Sequence, residues 1–317
     1  MEKKLVYGRE EIIEAVSNME NVMAEMEKGF IAYSEGKTQI PPVGYLGFPE
    51  HHGSTHIKYG YMEGDEVFVI KVASGFHDNA ALGLPAGSGI VLVFSAVTGQ
   101  IQAILADNGY LTDRRTAAAG AICAKYLAPS RIEAIGILGT GEQAREQLEA
   151  VKSVTEVRKV YVYGRNAAHA AAYRERMEKS GFDVIVADSP FRVAECCNLI
   201  ITATPAESPL LYGEDIRPGT TVIAVGTDAP GKNEIDSSVF AKADVVVADS
   251  ISQCVDHGDI SYAVKNGRLK RERIIELGKV LQGKDGRRRE EQIVVADLTG
   301  VAVQDIAIAK AALKNLR

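Results

Sequence analysis

The spacing of apolar positions divides the chain into two unlike parts. Over residues 10–35, Ile13, Val16, Val22, Met23, Met26 and Phe30 recur at helical intervals among acids and lysines. This predicts one long amphipathic helix closed by Gly36. Pro41 and Pro42 open an extended region, and between Tyr45 and Gln102 the pattern turns to strands. Strands are predicted at 56–61, 66–73, 89–96 and 100–107, with turns at Gly64-Asp65, between Asn79 and Gly89, and at Thr98-Gly99. An alanine-rich helix over 112–127, ended by Pro129, links this meander to an alternating second part. There strands are predicted at 135–138, 159–163, 183–187, 198–203, 221–225 and 244–248, with helices at 142–151, 166–179 and 191–196. Helical stretches at 259–265 and 271–282, a last strand at 293–296 and a helix from Val303 complete it. The expected fold class is α/β, with a doubly wound parallel Rossmann sheet in residues 116–297. A separate N-terminal α/β domain is expected in residues 1–115. The terminal helix is apolar on one face (Val303, Ile306, Ile308, Ala309, Leu313), and it is expected to return with residues 298–317 to that domain.

The strand at Ile135, Ile137 and Leu138 runs into Gly139, Thr140 and Gly141, and Glu142 begins the next helix. This is G-x-G-x-x-A, with Ala144 in the last place. The first glycine lets the chain turn, the second lets backbone approach a pyrophosphate, and the small third residue lets helix pack on strand. The helix N-terminus offers unpaired N–H groups and a positive dipole end. The next strand follows at the βαβ distance, so the stretch reads as a dinucleotide site; the bland alternative is a plain βα turn. That second strand ends Tyr163-Gly164-Arg165-Asn166 without an acid to hold a ribose 2′-hydroxyl. Arg165 stands where a 2′-phosphate would be met, which favours NADP(H), with NAD(H) possible. Alternatively Arg165 stacks on adenine or pairs with a surface acid.

Length and composition narrow the partners. At about 150 residues per domain, 317 residues suggest two domains. Hydrophobic content of 46% and charged content of 25% are those of an ordinary globular protein. A net charge of −6 argues against nucleic acid, which needs a basic face. The one basic run, Arg287-Arg288-Arg289, is followed by Glu290-Glu291 and reads as a solvated loop. The opening MEKKLVYGREE has no signal-peptide core, and no run reaches the roughly 18 apolar residues of a membrane span. Cys123, Cys196, Cys197 and Cys254 form no C-x-x-C pair, so reduced thiols and a cytoplasmic location are expected. His52 and His56 are four apart, but lack supporting ligands, and no metal site is expected.

Three polar residues stand out. Lys71 lies in VFVIKVAS, a strand too apolar for a casual lysine. A buried ammonium needs an anion, either a ligand carboxylate or a structural Asp or Glu. Arg115 begins the alanine-rich helix and can hold a carboxylate bidentately, whereas Arg114 reads as the surface residue. Asp228 follows the strand TVIAVGTD, where a sheet of this type presents residues to substrate; it also suits a turn before Ala-Pro-Gly.

IKVASGFHDNAALGLP, LTDRRTAAAGAICAKYLAP, GILGTGEQAR, ITATPAESPLL, VIAVGTDAPGKNEID and LTGVAVQDIAIAKAAL together resemble the ornithine cyclodeaminase/μ-crystallin family over nearly the whole chain. The resemblance implies a substrate and dimerisation domain completed by the C-terminal helix, a Rossmann domain, and homodimers joined through the N-terminal sheets. It implies chemistry at a C–N centre: cyclodeamination of ornithine or lysine, alanine dehydrogenation, opine formation or ketimine reduction. Lys71 and Arg115 match positions that hold the substrate carboxylate. Asp228 matches the acid that manages protons at the amine. Thr112, Arg115, Gly139, Thr140, Gly141, Glu142, Gln143, Arg165, Thr204, Val225 and Gly226 are the expected cofactor contacts. Two departures matter. Val43 stands where many members carry an arginine, and Lys58 stands where ornithine cyclodeaminase carries a glutamate near the substrate amine. Lys58 would repel a second ammonium; it suits replacement of the missing arginine or a second carboxylate. With Arg165, these point to an imino-acid reductase or amino-acid dehydrogenase with catalytic Lys71 and Asp228 and substrate-binding Lys58, Lys71 and Arg115. A cyclodeaminase and a non-catalytic NADPH-binding protein are the alternatives.

Overall fold

The computed structural model describes residues 4–284, 286–287 and 289–316; residues 1–3 of the charged opening and Arg288 of the basic run lie outside the described residues. The chain forms two compact units, one of residues 1–115 with 302–317, the other of residues 116–301.

The first unit opens with β1 (Val6–Gly8), α1 (Arg9–Ala15) and α2 (Met19–Ser34). The single helix expected over 10–35 is thus two helices. Asn18 caps α2 by accepting the Asn21 N–H at 3.0 Å. Arg114 donates to the carbonyls of Val16 (3.1 Å) and Ser17 (2.5 Å). The break therefore has side-chain partners for the groups that a continuous helix would have paired.

A sheet follows, built from β2 (Thr38–Gln39), β3 (Gly44–Phe48), β4 (Gly53–Met62), β5 (Val67–Phe76), β6 (Gly87–Ser95) and β7 (Ile101–Ala106). Its order is β1-β7-β6-β5-β4-β2, with β3 also on β4. β1 runs parallel to β7, and the other pairings are antiparallel. The period-two pattern gives the sheet two distinct faces. One row crosses the sheet as Lys58, Lys71, Val91, Leu105 and Tyr7, and the next as Tyr59, Ile70, Leu92, Ile104 and Val6. The first row is on the face covered by the C-terminal helix, and the second is apolar and only partly buried.

The second unit takes in most of α3 (Tyr110–Leu127), then β8 (Ile135–Leu138), α4 (Glu142–Val151), β9 (Lys159–Tyr163), α5 (Ala167–Lys179), β10 (Asp183–Val186) and α6 (Pro190–Cys196). It continues through β11 (Leu199–Thr202), β12 (Thr221–Ala224), α7 (Ser237–Lys242), β13 (Val245–Ala248), α8 (Ile251–His257), α9 (Asp259–Lys265), β14 (Ile274–Glu276), α10 (Leu277–Leu281) and β15 (Val294–Asp297). The strand order is β10-β9-β8-β11-β12-β15-β13-β14, parallel throughout, which is the expected doubly wound sheet. The helix expected over 271–282 is a short 3-10 turn, then β14 and one turn of helix. Ile274 and Ile275 pair with Val246 and Val247, so β-branched side chains extend the sheet edge there.

α11 (Ala302–Leu316) belongs to the first unit, where it packs on α2, β4 and β5. No helix among the described residues is long and apolar enough to cross a membrane. The four cysteines are free thiols, with Cys196 half-buried and the others buried.

Candidate active site

The order of the second sheet reverses between β8 and β11, whose ends pair as Leu138 with Thr202. Such a switch point opens a crevice at the strand ends. Gly139 turns there with φ +116°, and a Cβ on it would lie 2.4 Å from the Ala203 carbonyl oxygen, so only glycine fits. Gly141 is the N-cap of α4 and supplies no side-chain cap. A Cβ there would meet nothing within 4 Å, which leaves open space over uncapped N–H groups. A cavity of about 950 Å³ runs past residues 139–141, 163–166 and 203–208. Open backbone, an uncapped helix N-terminus and a cavity of this size fit a dinucleotide.

Arg165 lines the cavity, is exposed, and makes no ion pair with another described residue. Thr140, Gly141 and Thr204 line it too. Glu142 engages Arg145 on the same helix, and Gln143 accepts from Gln147 at 3.4 Å. Val225 is buried, with its N–H on the Thr202 carbonyl at 2.9 Å.

The first unit gathers the other candidates. Lys58 and Lys71 face each other directly across β4 and β5, on one side of the sheet. Lys71 is 3% exposed, and its Nζ donates to Asp305 Oδ1 at 2.7 Å. Arg115, also buried, donates from Nη1 to Gln304 Oε1 at 3.1 Å, and its Nε lies 3.4 Å from Asp305 Oδ1. Thus the structural partner that Lys71 admitted in the sequence is present, and it is Asp305 on α11. Burial lowers the Lys71 ammonium to about 7; Asp305 pulls it upward, and the charges of Arg115 and Lys58 push it down. Burial alone would raise Asp305, but Lys71, Arg115 and Lys58 outweigh it and hold the carboxylate below its ordinary value. Three cations therefore converge on one buried carboxylate. Two buried atoms of the group, Arg115 Nε and Asp305 Oδ2, have no hydrogen-bond partner among the described residues. Thr112, one turn before Arg115, uses its N–H in the first turn of α3, on the Gly109 carbonyl at 3.0 Å.

Asp228 stands in the loop after β12, with its side chain 57% exposed and paired with Lys232 at 2.6 Å. The same loop carries Glu234, which is completely buried and holds Gly226 N–H at 2.9 Å.

The family model for the ornithine cyclodeaminase/mu-crystallin family matches residues 2–317. The chain belongs to that family. Within it, the chain is 40% identical over 280 residues to an uncharacterised cyclodeaminase of Sinorhizobium fredii, covering 87% of this chain and 85% of the relative. Among solved structures it resembles the Δ1-pyrroline-2-carboxylate reductase of Thermococcus litoralis in complex with NADH and L-proline. That match has a TM-score of 0.92 and 30% identity, and covers 98% of this chain and 97% of that one. It also resembles an archaeal alanine dehydrogenase dimer with bound NAD, with a TM-score of 0.90, 32% identity, and 98% and 95% covered.

Two residues of this family member escaped the sequence reading. Asp305 lies 234 residues from Lys71, and its signal was an acid inside the apolar helix AVQDIAIA. Glu234 sat within NEID, a polar stretch that gave no hint of burial.

Proposed function

We propose that the chain is a nicotinamide-dependent oxidoreductase acting on C–N bonds, which reduces an α-imino acid to an α-amino acid or runs the reverse. The observation that carries this reading is the cluster of Lys58, Lys71 and Arg115 around Asp305. Three cations act on Asp305 there, and the buried Arg115 Nε has no hydrogen-bond partner among the described residues, so the cluster suits a ligand carboxylate. Lys71 and Arg115 bind that carboxylate, with Lys58 beside them, and so orient the imine carbon. The bound nicotinamide supplies or accepts the hydride. Asp228 gives the proton to nitrogen, or takes it, directly or through water. Gly139, Thr140 and Gly141 with the start of α4 hold the pyrophosphate, and Thr204, Val225 and Gly226 lie on the strand-end loops at the nicotinamide side. The test is oxidation of NADPH and NADH with cyclic ketimine carboxylates, iminosuccinate, and pyruvate plus ammonia or methylamine. Turnover of any one supports the reading. Proline formed from ornithine with no net change in cofactor would replace it with cyclodeamination, the activity in the Sinorhizobium relative's name. Lys58 beside Lys71 argues against that outcome, since both cations repel a second substrate ammonium.

NADP(H) is the preferred cofactor in this reading. Arg165→Ser should weaken NADPH binding about 10- to 100-fold, the worth of a charge-assisted hydrogen bond, while NADH binding stays within about twofold. Isothermal titration of both cofactors checks it, and an equal loss for both would assign Arg165 to adenine stacking.

The protein works as a homodimer in a compartment that keeps its thiols reduced. The row Tyr59, Ile70, Leu92, Ile104 and Val6 crosses five strands, and Phe68 stacks on Phe94 with ring centroids 5.0 Å apart beside it. A second copy of this sheet would cover that partly buried apolar face. Leu92→Glu should convert the dimer to single chains of 34.1 kDa by light scattering. An unchanged mass would move the interface elsewhere.

A further inference from the structure

Glu234 is 0% exposed, and its carboxylate receives four hydrogen bonds. Oε2 accepts from Thr202 Oγ1 at 2.7 Å and from Gly226 N at 2.9 Å. Oε1 accepts from Thr204 N at 2.6 Å and from Thr204 Oγ1 at 2.8 Å. An ionised carboxylate has about four acceptor sites, and here all four are taken. The donors belong to two neighbouring strand ends. Thr202 closes β11, Thr204 follows it, and Gly226 follows β12. Gly226 is a glycine for this contact: a Cβ on it would lie 2.5 Å from the Glu234 carboxyl and 2.4 Å from the Thr204 carbonyl oxygen. Glu234 is itself pinned, because Asp259 Oδ1 accepts the N–H groups of Glu234 and Ile235 at 2.8 and 3.1 Å.

Burial and the neighbouring Asp259 carboxylate both push the Glu234 acid upward, so this ion is costly to keep. A packing role alone would be filled better by an apolar side chain. What Glu234 adds is one side chain that holds both strand ends at once, beside the backbone bonds from Asn233 N–H to the Ala206 carbonyl (2.7 Å) and from Leu210 N–H to the Glu234 carbonyl (2.8 Å).

We propose that Glu234 is a positioning residue, a clasp that fixes the loops after β11 and β12 in the arrangement that receives the nicotinamide end of the cofactor. This rests on the cofactor reading above. In a sheet with this order, the strands on the β9 side of the switch point serve the adenosine half, and those on the β11 and β12 side serve the other half. The clasp therefore acts on one half of the ligand. Glu234→Gln keeps the shape but offers an amide NH2 where donors already point; the facing threonine hydroxyl can turn and accept from it, and one backbone N–H is left unpaired.

The test compares whole cofactors with fragments that lack nicotinamide. Isothermal titration is run with NADH against ADP-ribose, and with NADPH against 2′-phospho-ADP-ribose, on the wild type and on Glu234→Gln. The variant is expected to bind both fragments within about twofold of wild type, and to bind the whole cofactors about tenfold more weakly, as one unsatisfied buried donor implies. Loss of fragment and cofactor affinity by one common factor, with a lower Tm, would make Glu234 a general structural prop and overturn the proposal. So would unchanged affinity for every ligand. If Glu234→Gln does not fold, Thr202→Val removes one hydroxyl link from the fully buried side of the carboxylate, at a residue outside the proposed cofactor contacts, and is judged by the same comparison. A wild-type protein that binds neither cofactor nor fragment would defeat the cofactor reading itself. A wild type that binds both while the variants match it defeats the clasp alone.

Discussion

Lys71→Met should lower kcat/KM for imine reduction at least about a hundredfold, the usual cost of removing one charge-stabilising donor from an active site. The same variant should also be less stable, because Asp305 would remain buried with Arg115 as its nearest cation in place of Lys71. These two effects need separating, since an unstable enzyme also loses activity. Lys71→Met with Asp305→Asn does that. Removing both charges spares Asp305 from burial without its closest cation but leaves the buried Arg115 with Gln304 in place of its anion, so thermal unfolding should recover only part of the way toward the wild-type Tm. Turnover should stay lost, because the carboxylate ligand is still missing. If the double variant recovers turnover along with stability, Lys71 is a structural partner of Asp305 and nothing more.

The depressed Lys71 value adds a pH signature. In the free enzyme the ammonium is present below about 7 and is lost above it. Since kcat/KM reports groups of the free enzyme, it should fall as pH rises through that range. A bound carboxylate favours the ammonium, so the matching limb in kcat should lie at higher pH. Lys71→Arg stays charged throughout and should lose the limb. Stability moves the other way. Between about 7 and the ordinary lysine value of 10.5, the unfolded chain binds the extra proton, so this group's penalty is full below 7 and is relieved as pH rises toward 10.5.

How much of this was legible in the chain depends on range. The glycine turn after β8 was readable because part of its signal is local: Gly139 turns the chain with φ +116°, although the carbonyl oxygen its Cβ would strike belongs to Ala203, after β11. Lys71 was readable as an anomaly, a cation in an apolar strand, but its partner was not, because pairing across 234 residues is fixed by packing. The break between α1 and α2 was missed although Asn18, the cap of α2, is a local signal. Its helical period is continuous in sequence, and Arg114, nearly a hundred residues on, supplies the bonds at the break. β14 was misread because an isolated three-residue strand has too few positions to show a period, and its pairing with β13 decides the matter. Glu234 was invisible for a different reason: acidic residues in glycine- and proline-rich loops are ordinarily solvated, and only the converging N–H and hydroxyl donors hold this one inside.

Asp228→Asn should reduce kcat by about 10²- to 10⁴-fold while leaving NADPH affinity and Tm near wild type. The stability half of this expectation follows from geometry. The Asp228 side chain is 57% exposed, and its pairing with Lys232 is a surface contact of the kind worth about 0–1 kcal/mol. The catalytic half follows from chemistry. Hydride arrival at carbon leaves charge on nitrogen only until a proton joins it, and the amide of asparagine can neither give nor take that proton at neutral pH. Single-turnover measurement of cofactor oxidation with a pre-bound imine reads the step directly, and titration reads cofactor binding in the same samples. A normal rate with a lowered Tm would make Asp228 a turn residue before Ala229-Pro230-Gly231, the other role its neighbours allow. Slow turnover with a normal Tm would leave the proton as the thing lost, and restoring the rate with Asp228→Glu would assign it to a carboxylate at this loop.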